Sequence, residues 1–308
     1  MISPCVFRKR ESNKYLAFIE ITNSCNMKCK HCMNWSVKDA NIGFEREKIL
    51  RLIKELHEIE TEEIYISGGE PLLYPYIDEV ILYANSLGIK VTLATNALEI
   101  TNHLEVIKKG VQLVSISLDG IGETHDNFRG VKGAFDNCVN IFKLLKENNV
   151  KTRISAMIWK ENYEELEEMI ALAKSCGVSK VNLAFLIPTG RAKSDETIKL
   201  PIEKYKETVE IVANLREKYK SNDFEFIHDD RYFKISRVKY TIDGNKFNII
   251  TTNKYKYPLE MDLSNIALKQ LEDIGKQYFN KVLPGWDLKD MNGMQFWIHF
   301  INIHYLLL

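Results

Sequence analysis

Cys25, Cys29 and Cys32 stand in one short stretch, Thr22-Asn-Ser-Cys-Asn-Met-Lys-Cys-Lys-His-Cys32, directly after the apolar run Tyr15-Leu-Ala-Phe-Ile-Glu-Ile21. Thiolates at this C-x3-C-x2-C spacing can converge from one loop onto a single soft metal centre. If that centre is a four-iron cluster, three irons take protein ligands and the fourth stays open to an outside donor. Two other readings compete. His31 could complete a zinc site, although zinc knots usually draw paired C-x2-C units from separated segments. A disulfide framework fits poorly, because six cysteines in 308 residues are sparse and no secretory signal precedes them.

The loop needs a scaffold, and the chain supplies one. From residue 15 to about residue 220, short β-branched runs alternate with helical patterns. The patterning predicts strands at 15–21, 63–67, 89–95, 112–118, 151–158 and 179–186. Helices are expected near 44–59, 76–87, 101–109, 133–148, 162–176 and 201–220, several of them closed by Gly88, Gly110, Asn148–Asn149 and Gly177. Each strand reads as a near-continuous apolar run, as expected when helices cover a sheet. The alternation implies parallel strands with right-handed crossovers, and six units predict an α/β fold built as a partial (β/α)6 barrel. Ligands in such folds collect beyond the carboxyl ends of the strands. The residues with chemistry should therefore follow strands, and they do.

Ser67-Gly68-Gly69-Glu70-Pro71 follows the second strand. Its glycines would let the backbone approach a ligand and offer amide N–H groups to a charged amino-acid end, although the same four letters also make an ordinary turn. Thr95-Asn96-Ala97 follows the third strand, with Asn96 in a supporting role. The fourth strand ends Ser115-Ile-Ser-Leu-Asp-Gly120, and Glu123-Thr-His-Asp-Asn-Phe-Arg-Gly130 comes next. Ser117 and Asp119 alternate onto one face, where both can meet a hydroxylated ligand such as a ribose. Arg129, 12 positions beyond Ser117, offers a bidentate fork to a carboxylate. A plain turn at Asp119-Gly120 and a surface salt bridge at Arg129 are the structural alternatives. The fifth strand carries Arg153 and Ser155; a salt-bridged core arginine accounts for Arg153 equally well. The sixth runs into Phe185-Leu-Ile-Pro-Thr-Gly-Arg-Ala192. Cys138 and Cys176 read as small buried apolar side chains.

Taken in order on successive βα units, the cysteine spacing, the Gly-Gly-Glu-Pro stretch and the Ser-x-Asp-Gly…His-Asp-x-x-Arg-Gly run resemble the radical S-adenosylmethionine (SAM) superfamily. The branch they resemble is that of the anaerobic sulfatase maturases and related SPASM-type peptide-modifying enzymes, over residues 15 to about 192. The resemblance implies that Cys25, Cys29 and Cys32 hold one [4Fe–4S] cluster whose open iron chelates SAM. It implies that Gly68 to Pro71 hold the methionine amino group, that Ser117 and Arg129 contact SAM, and that a backbone group at Leu186 meets adenine; Ser67, Asn96 and Asp119 are expected to bind the cofactor beside them. His31 stands where the family usually has an aromatic residue packed against adenine. Ala97 stands where it usually has glycine, so a tight left-handed turn there would be less comfortable. An electron from a flavodoxin- or ferredoxin-like donor would cleave SAM, and the 5′-deoxyadenosyl radical would take a hydrogen atom from a peptide or protein substrate. A second reading keeps the cofactors and places the enzyme in cofactor or small-metabolite biosynthesis. A third makes the chain a cluster- and SAM-binding partner subunit without turnover.

Lys+Arg and Asp+Glu both total 42, so the net charge is zero, which argues against a basic nucleic-acid surface. No apolar run reaches bilayer length, so no membrane is expected as partner, nor, from the charge, a nucleic acid; free cysteines and the lack of a signal point to a reducing cytoplasm. Beyond residue 222 the alternation stops. The expected organisation is a core domain over 1–222 and a small α+β extension over 223–308. A hairpin is expected to turn at Asp243-Gly244-Asn245, followed by a helix from Ser264 to Phe279 and an aromatic end with Trp297, Phe300 and Tyr305. In the resembled maturases this extension is cysteine-rich and holds auxiliary clusters; here it contains no cysteine, which predicts a single cluster. Asp229 and Asp230 are available as acids, though such loop pairs are more often solvated.

Overall fold

A computed structural model describes residues 6–9, 15–33, 36, 43–58, 60–186, 190–226, 239–243 and 246–250. The chain divides into two compact units, Ile2–Ile227 and, with Met1, His228–Leu308. In the first unit the strands are β1 (Val6–Lys9), β2 (Tyr15–Glu20), β3 (Thr61–Ser67), β4 (Lys90–Thr95), β5 (Leu113–Ser117), β6 (Thr152–Ile158), β7 (Lys180–Phe185) and β8 (Glu225–Phe226). The helices are α1 (Arg46–Glu58), α2 (Ile77–Ser86), α3 (Leu104–Gly110), α4 (Glu123–Arg129), α5 (Ala134–Glu147), α6 (Leu166–Ser175) and α7 (Ile202–Tyr219).

The strands pair strictly in chain order, β1 to β8. Seven of them, β2 to β8, form an all-parallel sheet, and β1 joins its edge antiparallel to β2. The six expected strands are β2 to β7, and the architecture is the partial barrel that their alternation with helices requires. Two strands were not legible: β1 is four residues long and β8 only two. The expected helix at 101–109 divides into a 3-10 turn, Ile100–His103, and α3. The run after β5 forms α4, a short helix of weak helix formers such as Thr124, Asp126 and Asn127. The chain breaks behind the helices use left-handed residues: Gly88 at φ +77, Gly177 at φ +87 and Asn149 at φ +57.

One expectation about the strands needs correcting. Burial on both faces holds only at the centres of β4 and β5, where Val91, Thr92 and Leu93 and then Val114, Ser115 and Ile116 are buried in succession. In β6 the residues alternate between buried Thr152, Ile154, Ala156 and Ile158 and half-buried Arg153, Ser155 and Met157, and β7 alternates in the same way. Ile64, Ile66, Val91, Val114, Ile154 and Val181 are fully buried, as are Ile53, Val80, Ile81, Ile107 and Leu145 on the helices. This is the hydrophobic layer that holds the unit together. The opposite, concave face carries polar groups and is left partly open.

The second unit contributes β9 (Lys239–Asp243) and β10 (Lys246–Ile250), an antiparallel pair with Asp243 opposite Lys246. This matches the expected hairpin. Asp229 and Asp230, the helix expected from Ser264 to Phe279, and Trp297, Phe300 and Tyr305 lie outside the described residues. No helix among the described residues is long and apolar enough to cross a membrane.

Candidate functional site

The cysteine loop leaves β2 and is gripped by the loops that follow four other strands. After β3, Gly69 N–H donates to the Thr22 carbonyl at 2.6 Å and Glu70 N–H to the Ser24 carbonyl at 2.7 Å. Of the glycine amides expected to meet a ligand, that of Gly69 is spent on the cysteine loop. The structure also shows why glycines stand there. A Cβ on Gly69 would lie 2.1 Å from the Ser24 carbonyl oxygen, and one on Gly68 2.4 Å from that of Thr22. Pro71 opens a 3-10 turn, Pro71–Leu73, capped by Glu70.

Glu70 is buried and ties two loops together. Its carboxylate accepts from Leu72 N–H (3.2 Å), the Thr95 hydroxyl (2.7 Å) and Asn96 N–H (2.8 Å). Burial pushes its pKa up to about 7 against those three donors. Asn96 then reaches the cysteine loop: its side-chain amide donates to Asn26 Oδ1 at 2.7 Å and lies 4.0 Å from the Cys25 sulfur. Ala97 takes the left-handed turn at φ +72 in spite of its side chain.

After β5, α4 closes over the loop. The Phe128 carbonyl accepts from Lys30 N–H at 2.9 Å. Arg129 is buried, donates from Nη1 to the Cys29 sulfur at 3.7 Å and ion-pairs through Nη2 with Asp119. Burial opposes its charge, but Asp119 and Cys29 outweigh it, so its pKa lies above the ordinary arginine value. Arg129 is therefore no surface residue. Asp119 is equally committed: Oδ1 accepts from Met157 N–H at 2.6 Å, and the Asp119 carbonyl accepts from Trp159 Nε1 and Asn162 Nδ2, both at 2.9 Å. Oδ2 faces the Arg129 guanidinium and accepts no hydrogen bond from a described residue. Ser117, by contrast, is half-buried, and its hydroxyl has no partner among the described residues; the same holds for the hydroxyl of Ser67.

After β7, Gly190 and Arg191 strap the loop from the other side. Arg191 N–H donates to the Cys32 carbonyl at 3.1 Å, its Nε to the Cys29 carbonyl at 2.7 Å and its Nη1 to the Ser36 carbonyl at 3.0 Å. A Cβ on Gly190 would stand 2.3 Å from the Cys32 carbonyl oxygen. Gly190 and Arg191 stand in the run that follows the sixth strand, but nothing local told which segment, some 160 residues away, they would hold. Leu186 packs with Phe128, Trp159, Ala192 and Ile198, and its N–H is used by the Ile158 carbonyl at 2.9 Å. His31 stacks on Phe128 with ring centroids 4.7 Å apart, and Phe128 stacks on Trp159 at 4.3 Å. Arg153 is not the salt-bridged core residue that was the alternative: it pairs with no carboxylate among the described residues.

Cys25, Cys29 and Cys32 are free thiols, the first two buried and the third half-buried, packed around Met27 and Ala134. Burial pushes the Cys25 thiol up to about 12, with Cys29, Glu70 and Cys32 adding to the effect. Burial raises Cys29 too, opposed by Arg129. Metal binding must therefore expel protons from these sulfurs.

The residues fit an iron–sulfur group. Among the described residues no three His, Cys, Asp or Glu side chains converge on one ion. A zinc ion would need its sulfurs about 2.3 Å away, whereas a four-iron cube spreads its corner thiolates wider. Donors aimed at two of the sulfurs, from Arg129 and Asn96, are what such clusters use to tune themselves. Three buried polar atoms beside the loop, His31 Nδ1, Asp119 Oδ2 and Arg129 Nε, have no hydrogen-bond partner among the described residues and suit a polar ligand such as SAM.

Comparison with known proteins agrees. Residues 19–173 match the model of the Radical SAM superfamily. An AdoMet-dependent heme synthase of Methanosarcina barkeri is 30% identical over 86% of this chain and 76% of its own length. The Fe-coproporphyrin III synthase of the same organism is 29% identical over 66% of this chain and 52% of its own. Among solved structures, Streptococcus suis SuiB bound to precursor peptide SuiA superposes with a TM-score of 0.61 at 22% identity, covering 74% of this chain and 52% of SuiB. The chain thus spans about half the length of the last two. The chain belongs to the radical SAM superfamily, whose enzymes work with a [4Fe–4S] cluster and SAM.

Proposed function

We propose that this radical SAM enzyme acts on an iron tetrapyrrole in the biosynthesis of a heme-type cofactor. The observation that carries the reading is the 30% identity with a heme synthase across 86% of this chain. It favours the cofactor-biosynthesis reading over the peptide reading.

In this proposal Cys25, Cys29 and Cys32 are the cluster ligands. Arg129 and Asn96 place charge-assisted and neutral donors on Cys29 and Cys25. Gly69 and Glu70 hold the cysteine loop from behind β3 through their amides, and the stretch Gly68 to Pro71 takes the methionine amino group of SAM. Ser67 and Ser117 offer free hydroxyls at the strand ends, His31 offers a ring face and an unpartnered Nδ1 to adenine, and the Leu186 carbonyl is the remaining backbone group there. Asp119 acts through Arg129. When bound, the cluster and SAM supply a 5′-deoxyadenosyl radical that removes a hydrogen atom from an unreactive C–H bond. The protein orients the partners and keeps water out. A flavodoxin- or ferredoxin-like protein supplies the electron.

The test is anaerobic incubation of reconstituted protein with SAM, dithionite and iron coproporphyrin III, following 5′-deoxyadenosine and the porphyrin mass. A changed porphyrin mass together with 5′-deoxyadenosine supports the reading. An unchanged porphyrin, with a mass change in a co-expressed precursor peptide instead, transfers the enzyme to the peptide class.

A further inference from the structure

We propose that Arg153 is a carboxylate anchor for the substrate, set on the concave face of the sheet one side-chain layer beneath Ser117. The inference rests on the tetrapyrrole reading for the identity of the substrate; the ligand class comes from the arginine and its surroundings.

Arg153 sits in β6 directly opposite Ser115 of β5, and Ser155 opposite Ser117. Side chains two apart on a strand share a face, so Ser115, Ser117, Arg153 and Ser155 all lie on the side away from the buried layer. Arg153 Nε donates to Ser115 Oγ at 2.8 Å. Its guanidinium carbon lies 5.1 Å from the ring centroid of Tyr65 on β3. In the sheet order β4 and β5 lie between β3 and β6. The side chain is therefore laid across neighbouring strands, along the concave face, rather than pointing out to bulk water.

Two contacts fix this guanidinium without neutralising it. The hydroxyl of Ser115 holds the inner nitrogen and the guanidinium lies over the Tyr65 ring. The two terminal nitrogens make no hydrogen bond or ion pair with any described residue. A half-buried charge left without a counter-anion costs free energy that a ligand anion recovers. The free edge of a planar, pre-oriented guanidinium matches a carboxylate in the two-bond manner that lysine cannot copy. Two residues along a strand span about 7 Å, so a carboxylate there lies about that far below the Ser117 hydroxyl. The propionate side chains of an iron porphyrin are carboxylates on flexible two-carbon arms, suited to reach down the face while the macrocycle stays at the strand ends.

The experiment is an anaerobic equilibrium titration of reconstituted protein, without reductant, with iron coproporphyrin III and with its tetramethyl ester, followed by absorbance. Wild type, Arg153→Gln and Arg153→Lys are compared, and the iron and sulfide content of each reports folding. Loss of a charge-assisted pair corresponds to roughly ten- to a hundredfold. The expected result is that loss in Arg153→Gln for the acid, a smaller loss in Arg153→Lys, and little change for the ester. Equal affinity of wild type and Arg153→Gln for the acid overturns the anchor while leaving the tetrapyrrole reading intact. So does a wild type that binds acid and ester alike. A wild type that binds neither porphyrin overturns the tetrapyrrole reading and the anchor with it. Should Arg153→Gln load less iron than wild type, Ser115→Ala takes its place: it frees Nε and must weaken the acid selectively, or the anchor falls.

Discussion

Arg129 joins Cys29 to Asp119: one end of its guanidinium donates to the Cys29 sulfur across 3.7 Å and the other pairs with the Asp119 carboxylate, all of it buried. The cluster loop and the end of β5 are thereby held by one charged side chain. Removing one partner of a buried pair strands the other. Arg129→Met should lower the unfolding free energy of the metal-free protein by about 3–5 kcal/mol, and Asp119→Asn added to it should restore part of that loss. Urea denaturation of the four proteins in the cycle measures the coupling. Strictly additive effects would show that the two residues do not act as a pair.

His125 gives the unit an acid-side weakness. Its Nδ1 accepts the Asp119 N–H at 3.0 Å, which requires the neutral ring. Burial, and then the charge of Arg129, lower its pKa from 6.5 to about 3. Below pH 6.5 the unfolded chain takes a proton that the folded chain refuses, so stability falls as pH drops from 6.5 towards 3. The full loss from this one group is about 5 kcal/mol by that difference. His125→Asn, which keeps an acceptor and loses the titration, should flatten the slope of denaturation free energy against pH over this window. An unchanged slope would mean that other groups carry the acid sensitivity.

Close backbone approach makes Gly69 and Gly190 intolerant of a methyl group. Gly69→Ala and Gly190→Ala each drive a Cβ into a carbonyl of the cysteine loop, at 2.1 and 2.3 Å. Both should reduce iron and sulfide bound after reconstitution, whereas Gly88→Ala, with nothing within 4 Å of its Cβ, should cost stability but not iron. Iron assays on the three proteins separate the cases. Full loading of Gly190→Ala would show that the strap after β7 does not hold the loop.

Much of this was legible from local pattern. β2 to β7 announce themselves as β-branched runs between helical periods, and the three cysteines need only a single loop to act together. What the pattern concealed was long-range or marginal. β8 is a two-residue strand recruited by β7. Arg191 finds its carbonyl partners across 155–162 positions of chain. The amide of Gly69 seemed offered to a ligand, because nothing local reveals that the carbonyl of Thr22 takes it. At Ala97 the fold keeps the left-handed turn at φ +72, buried, without glycine.

That turn supplies a further check. A left-handed alanine costs about 1–2 kcal/mol, partly returned when glycine replaces it because glycine gives up more chain entropy on folding. Ala97→Gly should leave folding intact and raise stability slightly, while Ala97→Val, β-branched in a buried left-handed position, should cost well over 2 kcal/mol by order of magnitude. Thermal melts of both decide. Equal stability of the valine and glycine proteins would show that the turn relaxes freely.

The open iron corner is most directly tested by electron paramagnetic resonance of the reduced, reconstituted protein before and after SAM is added, with 5′-deoxyadenosine measured in the same samples. Wild type should show a [4Fe–4S] signal that SAM perturbs and should release 5′-deoxyadenosine, and alanine at Cys25, Cys29 or Cys32 should abolish both. A signal indifferent to SAM, a centre containing only zinc, or undiminished 5′-deoxyadenosine from a cysteine variant would contradict a cluster held by these three thiolates with its fourth iron free.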